Sequence, residues 1–267
     1  MTQIPAPPSA PRLIAIPRLA AGGRWRVEAM RALSEPLFLW FTKGQGRITV
    51  AGATRGYTPH NAIFIPAGTM HGFEVGPQVF GTAVFFGRDC GLPLPAQPLH
   101  LRIRENSAQV DLNLTLDAIG REMAGDKPAH DRAAGYHLGL LSVWLERQAA
   151  AHPLEDAPHP ASARRLAARF TQLLERDFRS GMGVADYAAA LGVTPTHLTR
   201  VCRTTTGRPA KDLLQDRVLF EARRLLAETA LPVQEVARGL GFNSPAYFTR
   251  AFQQHTGKTP SDFRRSA

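Results

Sequence analysis

From Arg12 to about Arg104 the apolar residues come in short runs separated by glycine and proline, at 13–16, 25–30, 37–42, 47–50, 62–65, 73–75, 79–86 and 99–103. Many short runs with frequent turn formers predict an antiparallel β-barrel or sandwich, with no helix in this stretch. The period then lengthens, and 107–124 and 129–151 read as two helices separated by Gly125-Asp126-Lys127-Pro128. On the second, Leu138, Leu141, Trp144 and Leu145 form one apolar stripe. It pairs subunits or packs on its own barrel; the spacing does not choose. Residues 152–160 carry three prolines and no periodicity, which predicts an interdomain linker. Leu166, Phe170, Leu173 and Leu174 then open a helical domain.

Within that domain one pattern is written twice. Val184, Ala188, Leu191 and Gly192 are matched 49 residues later by Val233, Ala237, Leu240 and Gly241. Leu198, Thr199, Arg200, Cys202 and Gly207 are matched 50 residues later by Phe248, Thr249, Arg250, Phe252 and Gly257. In each copy a short amphipathic helix ends at a glycine suited to a sharp turn. Thr194-Pro195 and Ser244-Pro245 then supply a hydroxyl N-cap and a proline at the first helical position. Two helix-turn-helix units are the result.

On the second helix of each unit, Leu198, Val201 and Cys202, and Phe248, Ala251 and Phe252, share an inward face. Thr196, His197, Thr199, Arg200 and Arg203 point outward in the first copy, and Ala246, Tyr247, Thr249, Arg250 and Gln253 in the second. Such a mixture of guanidinium, hydroxyl, amide and ring groups is what reading base edges in a major groove requires. Between the copies, residues 209–228 form a helical pattern without glycine, with Leu213, Val218, Leu225 and Leu226 in register. At about 1.5 Å per residue it spans ~30 Å, close to the roughly 34 Å between successive major grooves on one face of DNA.

Charge sharpens this reading. The chain carries a net charge of +10, and residues 161–267 hold 17 Lys+Arg against 9 Asp+Glu, while residues 1–160 hold 15 against 13. A basic excess confined to the helix-turn-helix half favours a phosphate backbone as partner. No basic amphipathic helix or long apolar run suggests a membrane. Cys90 and Cys202, with no C-x-x-C pair, support neither a disulfide framework nor a cysteine zinc site. The proline-rich start, 1–11, has no apolar signal core and reads as a disordered leader of a cytoplasmic protein.

The segment from Ala237 through Leu240-Gly241-Phe242-Asn243-Ser244-Pro245 to Arg265 resembles the DNA-binding domain of AraC-family transcriptional regulators, and the likeness extends over about 163–265. The resemblance implies a sequence-specific regulator, more often an activator. It places base contacts of the first unit on Thr196, Thr199 and Arg200, and sets the corners at Arg208 and Lys258 near phosphates. Ser244 belongs to the same expected surface, whereas Pro245 and Ala246 depart from the hydrogen-bonding pattern. The sequence around Pro66, Gly68 and His71 resembles the P-x-G-x-x-H segment of the cupin barrel, the usual sensor domain ahead of such modules, and Gly44-Gln45-Gly46 fits the same pattern.

Metal-dependent cupins also need an H-x-H and a glutamate, but no histidine precedes His60. A metal site and cupin chemistry are therefore rejected, leaving no enzyme, no cofactor and no catalytic residue. In sugar-sensing relatives a cation before the G-x-G turn and an aromatic residue after the histidine motif contact effector; here these are Lys43 and Phe73. With Arg47 and His71 they form the candidate effector pocket, expected to take an aromatic or carboxylate-bearing molecule.

The resulting expectation is an α+β chain in four parts: a leader, 1–11; a cupin-like effector and dimerisation domain, 12–151; a linker, 152–161; and a double helix-turn-helix domain, 162–267. Its partners would be double-stranded DNA, a small-molecule effector and a second copy of itself, with RNA polymerase a further candidate. The alternatives are a regulator whose barrel serves only dimerisation, and a metal-dependent cupin enzyme with a DNA-binding module.

Overall fold

Alternation of side chains across a pleated backbone explains why the N-terminal half becomes two sheets. A computed structural model describes residues 10–151 and 159–266. Its first part contains β1 (Arg12–Ala15), α1 (Ile16–Leu19), α2 (Trp25–Glu28), β2 (Leu37–Lys43), β3 (Gly46–Val50), β4 (Ala53–Tyr57), β5 (Asn61–Ile65), β6 (His71–Phe73), β7 (Phe80–Phe85) and β8 (Leu99–Arg102). A five-stranded antiparallel sheet has the order β1-β7-β2-β5-β8, and a three-stranded sheet the order β4-β3-β6. The helices α3 (Asn106–Ala124) and α4 (His130–Ala151) follow.

The larger sheet is buried on both faces. One face carries Leu39, Phe41, Ile63 and Ala83 against Ile48, Tyr57 and Phe73 of the smaller sheet, with the Phe41 and Tyr57 rings stacked at 3.9 Å. The other carries Phe38, Trp40, Phe64 and Val84 beneath Leu112, Leu116, Leu138, Leu141 and Leu145. Two-sided burial is why β2 and β5 are continuous apolar runs rather than alternating ones. The apolar stripe of α4 is thus spent on its own sheet. The opposite side of the α3–α4 pair still exposes Val110, Leu114, Tyr136, Leu140 and Val143.

Two local expectations are corrected. The stretch expected to lack helix contains α1 and α2, and the run 25–30 closes into a helical turn supported by an Arg24–Glu28 pair at 2.6 Å. Tertiary contact overrides strand propensity there, because the Trp25 ring is drawn onto Phe220 and Phe263, 5.7 and 5.9 Å away. Residues 53–57, which the apolar pattern passed over, form β4. They pair with β3 across a two-residue turn in which Ala51 and Gly52 both have positive φ.

The second part contains α5 (Ala161–Asp177), α6 (Val184–Ala190), α7 (Pro195–Thr206), α8 (Ala210–Glu228), α9 (Val233–Gly239), α10 (Pro245–Thr256) and α11 (Pro260–Ser266). Most of the expected linker and leader lie outside the described residues. The core of this half centres on α8, whose Leu213, Val218, Leu225 and Leu226 are buried with Phe170, Tyr187, Leu198, Phe248 and Phe252. Met30 and Met70 of the β half join the same core, and the Thr54 hydroxyl donates to the carbonyl of Thr206 at 3.3 Å.

α8 also buries charge. Arg217 holds Glu175 of α5 through two hydrogen bonds of 2.5 and 2.8 Å, and its guanidinium lies 3.7 Å from the centre of the Phe178 ring. Glu221, one turn on, accepts from Arg179 and Arg224 at 2.6 and 2.8 Å. Burial alone would push the Glu221 carboxyl up, but the hydrogen bond and charge of Arg224, with Arg217 and Arg179, bring it down to about 2.

A carboxyl with a depressed folded pKa contributes stability that is present above its ordinary value of 4.5 and lost as pH falls through about 2. Urea unfolding of the wild type and Glu221→Gln between pH 7 and 2 should therefore show a difference that shrinks below pH ~4.5, on the order of 3 kcal/mol in total. A pH-independent difference would mean that Glu221 does not titrate in this way.

Candidate nucleic-acid interface

The turns and the caps of the second helices match hydrogen bond for hydrogen bond between the two units. In the first, Gly192 turns the chain at φ +71° and the Val193 N–H donates to the carbonyl of Ala188 at 3.0 Å; in the second, Gly241 turns at +77° and the Phe242 N–H donates to Ala237 at 3.1 Å. The Thr194 hydroxyl caps α7 by accepting from the His197 N–H at 3.2 Å, and Ser244 caps α10 by accepting from Tyr247 at 3.3 Å. Each second helix ends on a left-handed glycine, Gly207 or Gly257, whose N–H returns to Arg203 or Gln253. Beyond it, the Arg208 and Lys258 N–H groups donate to the hydroxyls of Thr206 and Thr256.

Burial separates the helix faces as the spacing predicts. Leu198, Val201, Cys202, Phe248 and Phe252 are buried, and Ala251 is half-buried. Thr196, Arg200, Arg203, Ser244, Ala246, Tyr247, Arg250 and Gln253 are exposed, while His197, Thr199 and Thr249 sit at the edges. In α7, Arg200 is braced by a 3.0 Å contact with His197 Nδ1, one helical turn back. In α10 the Tyr247 ring leans on Phe242 at 6.0 Å and stays largely exposed. The linking helix α8 has 19 residues, ~28 Å at about 1.5 Å per residue.

The corner cations differ. Lys258 is exposed and, among the described residues, reaches only Ser266 Oγ, at 2.9 Å, whereas Arg208 is half-buried and paired with Asp216 at 2.6 Å. A phosphate at the first corner would therefore have to share the Arg208 guanidinium with a carboxylate. Cys202 is fully buried, and burial pushes its thiol up to about 12, which leaves it unsuited to nucleophilic chemistry.

In the β half the four candidate effector residues are not brought together. Strand register pairs Ile48 with Phe73, both facing the inter-sheet core, so the neighbouring Arg47 must face outward, where it pairs with Glu74 at 3.0 Å. Lys43 is exposed at the end of β2 beside Phe80. His71 is buried, with Nδ1 2.9 Å from the Thr69 carbonyl oxygen. Burial and then the charge of Arg31 pull its pKa down to about 3, so its ring is neutral.

A family model described as a helix-turn-helix domain matches residues 187–266. The chain is 27% identical to the arabinose operon regulatory protein of Escherichia coli over 133 residues, 49% of this chain and 46% of that one. It is 31% identical to the probable transcription factor PqrA of Proteus vulgaris over 86 residues, 32% of this chain and 70% of that one. This chain belongs to the AraC family of transcriptional regulators. A solved structure of the C-terminal domain of AraT, a response regulator from Geobacillus stearothermophilus, is 28% identical with a TM-score of 0.37, covering 40% of this chain and 87% of that domain. The chain spans about half the length of the arabinose regulator it matches.

Sequence reasoning about this AraC-family chain missed the charged residues inside α8 and the role of Trp25. A guanidinium four residues before a carboxylate, as in Arg217 and Glu221, reads equally well as a solvated helix face.

The paired turns set up an internal comparison. Gly192 and Gly241 share a left-handed backbone, but a Cβ at 192 meets open space, whereas one at 241 lies 2.4 Å from the Gly181 nitrogen. Gly192→Ala should cost about 1 to 2 kcal/mol from backbone strain alone. Gly241→Ala should cost roughly 3 kcal/mol or more, because backbone of the α5–α6 connection must also move. Equal losses in chemical denaturation would show that the close approach at 241 is readily relieved.

Proposed function

We propose that this chain is a sequence-specific, ligand-responsive transcriptional regulator that reads DNA through α7 and α10. The observation carrying the reading is the duplicated unit, in which equivalent capped helices present Thr196, Thr199, Arg200 and Arg203, and Tyr247, Thr249, Arg250 and Gln253, on outer faces. The span of α8 suits adjacent major grooves on one face of a duplex. His197 orients Arg200, while Arg208, Ser244 and Lys258 flank the reading helices and serve the backbone. The basic excess of residues 161–267 supplies the sequence-independent attraction.

The proposed division is a β half, 12–151, a linker, 152–161, and a DNA-binding half, 162–267. The exposed apolar face of α3 and α4 fits pairing of two copies, which would present two DNA-binding halves to repeated or paired sites. The chain acts in the cytoplasm, with RNA polymerase as a further partner of the DNA-bound form. Among the described residues no helix is long and apolar enough to cross a membrane.

A second reading concerns the β half alone. The space between its sheets is filled by Leu39, Phe41, Tyr57 and Phe73, which favours a barrel that pairs and positions over one that encloses an effector among Lys43, Arg47, His71 and Phe73.

Selection of bound duplexes from a random pool by the full chain tests the main reading. The expected product is a site with two short elements about one helical turn apart, ~10 base pairs. Arg200→Ala should erode discrimination in the first element by about 1 to 3 kcal/mol. Lys258→Ala should instead weaken all duplexes alike and make the salt dependence shallower by about one unit. Tight, salt-sensitive binding with no enriched sequence would reject base reading.

A further inference from the structure

A cleft of about 1020 Å³ opens between the β half and the helical half, and eight arginines and four glutamates line it, an excess of four positive charges. The glutamates are already engaged: Glu35 by Arg12, Glu175 by Arg217, Glu221 by Arg179 and Arg224, and Glu228 by Arg26 and Arg224. Arg18, Arg31 and Arg88 have no acidic partner among the described residues. Trp25, Leu33, Phe85 and Phe220 provide apolar wall.

Arg31 is the unusual member. It is 5% exposed, and among the described residues its guanidinium donates only to backbone carbonyls, those of Val27 at 2.8 Å and Ala29 at 3.5 Å. The charged group it faces across the boundary between the halves is another cation, Arg217, itself 4% exposed: it keeps two hydrogen bonds to Glu175, while its Nη1, 3.6 Å from Glu221, has no hydrogen-bond partner among the described residues. Both guanidiniums lie 5.9 Å from the centre of the same Phe220 ring. Burial first, and then Arg217, pulls the Arg31 pKa down to about 10, well short of neutralising it at physiological pH. Two buried cations from different halves thus share one aromatic ring at a cleft with a surplus of positive charge, an arrangement that a bound anion would stabilise.

We propose that this cleft binds a small, multiply charged anion, a polycarboxylate or phosphorylated metabolite, held between Arg31 of the β half and Arg217 of α8. Guanidinium forks match both carboxylate and phosphate, and a single negative charge would offset only a quarter of the local excess. The Arg18 and Arg88 side chains at the rim add further charge. Because the anion touches both halves, it stabilises their docked arrangement and so couples ligand to the disposition of the reading helices. That coupling rests on the regulatory reading above; the binding site itself does not.

Titration calorimetry and thermal melting of the full chain, without DNA and at matched ionic strength, test the site with citrate and pyrophosphate as probes and chloride as reference. Saturable binding with a raised melting temperature is expected for at least one probe. Citrate alone would assign a polycarboxylate, pyrophosphate alone a phosphorylated ligand, and both the shared chemistry. Arg31→Gln should weaken binding by about 10- to 100-fold, as expected for loss of a charge-assisted hydrogen bond. Arg121→Ala, which removes an exposed cation outside the cleft, should not. If Arg31→Gln fails to fold, Arg88→Ala at the rim carries the comparison and should weaken binding severalfold. No saturable binding of either probe, or affinity equal in the cleft variants and Arg121→Ala, overturns the proposal. Duplex selection is scored separately, so DNA reading and anion binding fail independently.

Discussion

Packing of α8 against both halves of the molecule is the constraint on which the rest of the structure depends. One helix supplies core to both helix-turn-helix units, packs on α5 and α11, and meets Trp25 and Arg31 of the β half. A helix surrounded in this way carries charge only if each charge is matched. Arg217 and Glu221 meet that condition through Glu175, Arg179 and Arg224. The separation of α7 and α10 is thereby tied to a packed element.

The same packing extends to the contact between the two halves. Met30 and Met70 enter the helical core, Trp25 lies against Phe220 and Phe263, and Gly52 passes so near Ala167 that a Cβ would fall 2.8 Å from its carbonyl oxygen. The β half is therefore seated on the same elements that space α7 and α10. A change at this seam has a direct mechanical route to α7 and α10, whereas a ligand between the two sheets would have to displace a stacked Phe41–Tyr57 pair.

The duplicated units also diverge where they meet different neighbours. Gly192 turns in open space, but Gly241 turns against the backbone of Gly181, because only the second unit folds back onto the α5–α6 connection. Arg208 is partly neutralised by Asp216 on α8, while Lys258, at the corner before α11, meets only the Ser266 hydroxyl among the described residues. Equivalent sequence positions thus carry unequal electrostatic roles.

Local rules determined much of this from the sequence alone. Helical period, hydroxyl and proline at the N-cap, and glycine at the turns were enough for both units, since each signal acts within a few residues. The alternation in β3 was equally sufficient to turn Arg47 away from Phe73, had it been applied to that position. What the tertiary structure alone decided are the features made by residues far apart in the chain. The run at 25–30 became a helical turn because its tryptophan found Phe220 and Phe263, and the α4 stripe was used on its own sheet. The charges on α8, which resemble a solvated face, were buried by α5. Arg31 was left facing Arg217 because two separately legible halves close on each other, and no local period encodes which surfaces meet.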